Sequence, residues 1–195
     1  LVLMEYLRRF RPELLPTEAE LHAVRFEFDP APPLETLMLH FCGEVRLTQW
    51  YRRASEWHTE PVIKQIYDTL SRDEARHGGA YLKYMKRAID RFGVAARQAF
   101  SKIGVLMVSG GKAGKPLHPT NLHVNQALFP NDTVQSRLPD PAWLERWLDQ
   151  QIQFTREWEE KVMGGILRNL SSLFGQEFKS VTELNRYRKS LASAA

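Results

Sequence analysis

Two long stretches of the chain repeat their apolar residues every three or four positions, the period of a helix with one face turned inward. In the first, Leu34, Leu37, Phe41, Glu44, Thr48 and Tyr51 form one stripe. In the second, Ile63, Ile66, Leu70, Glu74, His77, Tyr81, Tyr84 and Ala88 form another. The stripes predict helices from Leu34 to about His58 and from about Pro61 to Phe92, neither with an interior proline. The run Pro30-Ala31-Pro32-Pro33 breaks any helix before the first. Glu60-Pro61 places a proline in a first turn, where its missing N–H costs nothing, and Gly93 suits a C-terminal stop. Gly78-Gly79 weaken the second helix by about 1 kcal/mol each relative to alanine, which points to close packing or an irregularity beside His77.

Further helical patterns cover Leu1 to Phe10 (closed by Arg11-Pro12), Val94 to Val108, Ala142 to about Leu173, and Val181 to Leu191. The glycines between Ser109 and Pro116 lack the spacing of a phosphate loop, and no strand precedes them, so they predict a surface loop. No segment alternates as a multi-stranded sheet would. The expectation is an all-α fold, a helical bundle with additional C-terminal helices, in a single domain over residues 1–195.

Composition narrows this picture only a little. At 195 residues, 43% hydrophobic and 26% charged, the chain suits an ordinary folded domain. No run of about 18 apolar residues offers a membrane span. No secretory signal is visible, and the opening at Leu1 in mid-pattern predicts an upstream segment. The single cysteine, Cys42, excludes an internal disulfide framework and fits a reducing cytoplasm. A net charge of +4, with basic residues at Arg52-Arg53 and at Lys83, Lys86, Arg87 and Arg91, suits an acidic partner. Without an arginine-rich tail or an RNA-reading sheet, specific nucleic-acid binding is not expected.

Candidate chemistry sits where acids interrupt the apolar stripes. Glu74 and His77, three apart, project from one helix face, as a Glu-x-x-His pair does when it ligates a metal inside a bundle. Such a pair alone says little: 23 acids and 6 histidines in 195 residues give roughly 0.7 acid-x-x-His pairs by chance. Register adds to it. If the two long helices turn back on each other near Thr59, Glu44 and Glu74 are equally distant from the bend, at about 22 Å for 1.5 Å per residue. Buried carboxylates at one height need a cation or a proton, and carboxylate with imidazole suits iron or manganese. The competing reading makes His77 a core histidine bonded to a carbonyl, with Glu44 and Glu74 solvated. His40, one turn before Glu44, is expected to pack or to meet solvent; His118 and His123 lack convincing partners, and Glu157, Glu159 and Glu160 read as a solvated face.

Phe41-Cys42-Gly43-Glu44, followed some thirty residues later by Asp73-Glu74-Ala75-Arg76-His77, resembles the second half of the soluble acyl-acyl carrier protein desaturases, members of the ferritin-like di-iron superfamily. The resemblance covers roughly Leu34 to Phe92 and fades beyond Gly110. It implies a ferritin-like bundle in which Glu44, Glu74 and His77 ligate two iron ions and Asp73, not itself a ligand, accepts a hydrogen bond that orients a ligand histidine across the site. It also implies an acyl carrier protein as substrate carrier, a ferredoxin-like electron donor, a homodimer, and a cytoplasmic or plastid location. The sequence departs from the family in two ways. Leu47 stands where the family places threonine, with Thr48 following, and no Glu-x-x-His lies upstream of Glu44. Glu5-Tyr6-Leu7-Arg8-Arg9 matches Lys83-Tyr84-Met85-Lys86-Arg87 in type, and that offset predicts the first Glu-x-x-His just before Leu1.

The function expected on these grounds is dioxygen-dependent desaturation of an acyl chain. The rivals are another di-iron hydroxylase, including one acting on a tRNA base, iron storage in a shell, and a non-catalytic bundle binding a partner through its basic face.

Overall fold

A computed structural model describes residues 2–19, 32–109 and 160–193. Among them all regular structure is helical and no strand occurs, so the fold is all-α. The chain divides into two compact units, one of Leu1–Asp29 with Pro116–Gln153, the other of Pro30–Lys115 with Phe154–Ala195. In the first, α1 (Val2–Phe10) ends at Arg11-Pro12 as its sequence dictates, and a single 3-10 turn, Pro12–Leu14, follows. Glu5 on α1 accepts from Arg8 at 2.8 Å and Arg9 at 2.6 Å.

The second unit is a helical bundle. Its frame is the hairpin of α2 (Pro33–Trp57) and α3 (Pro61–Phe92). Proline occupies the first turn of both helices. The Glu60 carboxylate caps α3, accepting from the backbone N–H groups of Val62 (3.1 Å) and Ile63 (2.7 Å), and its charge suits the positive helix end. The antiparallel register is read from cross-helix partners, whose numbers fall on α2 as they rise on α3. The Ser55 hydroxyl donates to the Lys64 carbonyl, the buried Ser71 hydroxyl donates to the Thr48 carbonyl at 2.9 Å, and His40 stacks on Tyr81.

Gly93 separates α3 from α4 (Val94–Val108) with φ at +55°, a conformation side chains disfavour, while its N–H still closes α3 onto the Ile89 carbonyl. Helix α5 spans residues 160–174 and ends in the left-handed Gly175, with the Gln176 N–H reaching back to the Ser171 carbonyl. Helix α6 (Val181–Ser193) packs on α4. Arg97 of α4 donates to the Phe174 carbonyl and the Tyr187 hydroxyl, both at 3.1 Å. The core lies between α2, α3, α4, α5 and α6, with Met38, Met85, Phe100, Ile166, Leu170 and Leu184 wholly buried. Gly104 sits at its tightest point: a Cβ there would lie 2.8 Å from Leu170 Cδ1 and 3.3 Å from Leu184 Cδ2. No described helix is long and apolar enough to cross a membrane.

The structure corrects the α3 stripe. Residues 63, 70, 77 and 84 are seven apart and form one line along the helix. Ile63 and Leu70 are half-buried, whereas His77 and Tyr84 have turned outward. The buried line runs one residue later, through Ser71, Gly78 and Met85. Gly78-Gly79 do not interrupt the helix; Gly78 faces the Cβ of Glu44, and Gly79 faces open space. The expected loop after Ser109, the expected start of a helix at Ala142, and His118, His123, Glu157 and Glu159 lie outside the described residues; Glu160 is exposed.

Candidate metal centre

Glu44 lies near the middle of α2, and Glu74 and His77 lie one turn apart on α3, so the hairpin register alone decides whether they meet. They do. His77 Nδ1 is 3.0 Å from Glu74 Oε2 and 3.6 Å from Glu44 Oε2. One ligand atom from each residue lies within 4.8 Å of the others, and no second such group of three occurs among the described residues. Two local features hold the register. The Ser71–Thr48 bond crosses the hairpin one turn from the cluster, and Gly78, with no side chain, lets α3 approach α2 beside Glu44. The Thr48 hydroxyl itself donates to the Glu44 carbonyl at 2.8 Å, so it is committed to the backbone.

The surroundings are uneven. Both carboxylates are 16% exposed and His77 is 56% exposed, so the cluster opens on the imidazole side. Glu44 Oε2 is buried with no hydrogen-bond partner among the described residues. Burial, then the adjacent Glu74 carboxylate, pushes the Glu44 carboxyl up to about 7, with His77 opposing. His77 is held above its usual value, chiefly by its hydrogen bond to Glu74. The cluster therefore stores protons where a cation would release them. Tyr51 and Tyr81 flank it, and both phenols are raised, by burial first and then by the carboxylate charges.

Of the residues expected at this site, Glu44, Glu74 and His77 converge. Asp73 does not join them; its carboxylate accepts from Arg76 on its own helix. His40 stacks on the Tyr81 ring at 5.9 Å and stays outside the cluster. Cys42 is wholly buried, and burial lifts its thiol to about 12, which makes it an inert apolar residue. The feature the sequence reasoning missed is aromatic. Between the carboxylates and the hairpin bend, the rings of Trp50, Tyr51, Tyr67, His58 and Trp57 follow one another at 4.9 to 5.8 Å. Tyr51 stood in the α2 stripe, but Tyr67 falls beside the α3 stripe and carried no signal.

The donor set fits a hard or borderline divalent ion. An orphaned buried carboxylate oxygen, a second carboxylate and an imidazole converge, and these are ligands for iron or manganese rather than for thiolate-seeking metals. Three side chains amount to half of a dinuclear set of the bundle type. No protein-family model matches the chain, and neither the curated proteins nor the solved structures return a match.

Proposed function

We propose that the chain is the metal-ligating half of a ferritin-like di-iron oxidoreductase that uses dioxygen to desaturate an acyl chain, carried as a thioester on acyl carrier protein. The observation that carries the reading is the meeting of Glu44, Glu74 and His77 around a buried, unpartnered carboxylate oxygen. Leaving such an oxygen unpaired is costly, and a bound cation removes the cost. Iron bound there would supply the redox chemistry and the dioxygen activation that desaturation requires. Two ions need more ligands than three side chains give, so the set is completed from outside this cluster.

The remaining steps belong to the chain's own residues. Glu44 gives up the proton that burial favours as the cation enters, and His77 gives up the one that Glu74 favours. Tyr51 lies within electrostatic reach of both carboxylates and Tyr81 of Glu44. Outside, Arg72, Arg76, Lys83 and Arg87 are exposed along α3, a basic face suited to an acidic carrier or to a small acidic electron donor.

The test is anaerobic loading with ferrous iron followed by metal analysis. Uptake should be lost in Glu74→Ala and kept in Glu160→Ala, and the loaded protein should oxidise an acyl thioester when supplied with dioxygen and electrons. A protein extended to include further ligands and still free of iron would defeat the enzyme reading. A helical module that binds a partner through the basic face of α3 would then be the better account.

A further inference from the structure

We infer that Trp50, Tyr51 and Tyr67, continued through His58 to Trp57, form a relay that carries one-electron oxidising equivalents between the Glu44–Glu74–His77 cluster and the bend end of the hairpin. The rings are ordered in space. Trp50 stacks on Tyr51 at 5.5 Å, Tyr51 meets Tyr67 at 5.8 Å, Tyr67 stacks on His58 at 5.2 Å, and His58 meets Trp57 edge-on at 4.9 Å. Phenol and indole are among the side chains a protein oxidises most readily by one electron, and every link except His58 is one of these. Away from the bend the rings do not continue as a chain: Phe41 and Ala88 fill the seam, and Tyr81 stacks on His40 beyond the cluster.

The inner end of the chain of rings feels the cluster directly. Both Glu74 and Glu44 act electrostatically on the Tyr51 phenol, so a change of charge among the carboxylates changes how readily Tyr51 is oxidised. The outer end is reachable, since Trp57 is partly exposed, and Trp50 beside Tyr51 is partly exposed as well. Each transfer exchanges one electron and one proton: an indolyl radical takes both from a tyrosine, leaving intact tryptophan and a phenoxyl radical. This inference rests on reading the cluster as a redox metal centre, but the path can be examined without any metal.

The experiment is pulse radiolysis of the metal-free chain in azide solution. The azide radical takes an electron from tryptophan and becomes azide, and the indole proton goes to water. The indolyl absorbance should then decay in a first-order step, independent of protein concentration, as phenoxyl absorbance grows. Tyr51→Phe combined with Tyr67→Phe keeps the rings packed and should remove most of the phenoxyl yield; Tyr84→Phe, exposed and off the path, should not. Unchanged melting of each variant shows that the fold survives. Conversion that persists in the double variant overturns the relay. Radical transfer that is intact in a protein unable to take up iron leaves the path standing and overturns the redox-centre reading instead.

Discussion

Glu44 is the residue on which the chemistry of the cluster turns. In the metal-free protein its carboxyl is raised from 4.5 to about 7, so between these values the folded chain holds a proton that the unfolded chain has released. Its contribution to stability is complete below pH 4.5 and lost as the pH rises through 7. His77, also raised, adds a loss of the same sign above its ordinary value of 6.5. The difference in melting temperature between the natural chain and Glu44→Gln should therefore change across this window, with Glu44→Gln the more stable protein at pH 8. Divalent metal affinity should run the other way, rising with pH as the same protons become easier to displace, which titration calorimetry at two pH values would read. Ser71 offers a second check at this scale. Ser71→Ala removes the bond to the Thr48 carbonyl and should cost about 1 kcal/mol in chemical denaturation.

At the level of elements, most of the helix boundaries were legible because single residues enforce them. Pro33 and Pro61 begin helices where a missing N–H is harmless, and Gly93 ends one where only glycine adopts the backbone freely. Glu74 and His77 were legible as a pair, and Glu44 followed from equal distance to the bend, because both inferences need only helical geometry. The facing of α3 was not. A list of apolar positions does not say which of two adjacent seven-spaced lines a neighbouring helix covers, and here it covers Ser71, Gly78 and Met85 rather than His77 and Tyr84. The rings at the bend were illegible because Tyr67 meets Tyr51 and His58 only once the two helices pack side by side. Two glycines make opposite predictions. Gly79→Ala, in an open stretch of α3, should stabilise by roughly 0.5–1 kcal/mol through helix propensity alone. Gly104→Val, forced against wholly buried Leu170 and Leu184, should destabilise by about 1–3 kcal/mol. Urea denaturation of the two variants measures both.

For the molecule as a whole, an all-α bundle was expected, and the described residues form one. Binding of an ion to the folded chain alone must stabilise it, so ferrous iron or manganese should raise the melting temperature in a concentration-dependent way. That rise should vanish in Glu74→Ala and persist in Glu160→Ala.

The turn from α2 to α3 holds only His58, Thr59 and Glu60, and this brevity bears on the order of events during folding. Closing so short a connection loses little chain entropy, and the contacts it brings are near neighbours in sequence. Helices α2 and α3 should dock early, so that Glu44 and Glu74 meet while the chain is still collapsing, before α6 has found its place. The kinetic signature is a φ-value near 1 for Ser71→Ala at the hairpin and near 0 for Leu184→Ala on α6, at about the precision such ratios allow.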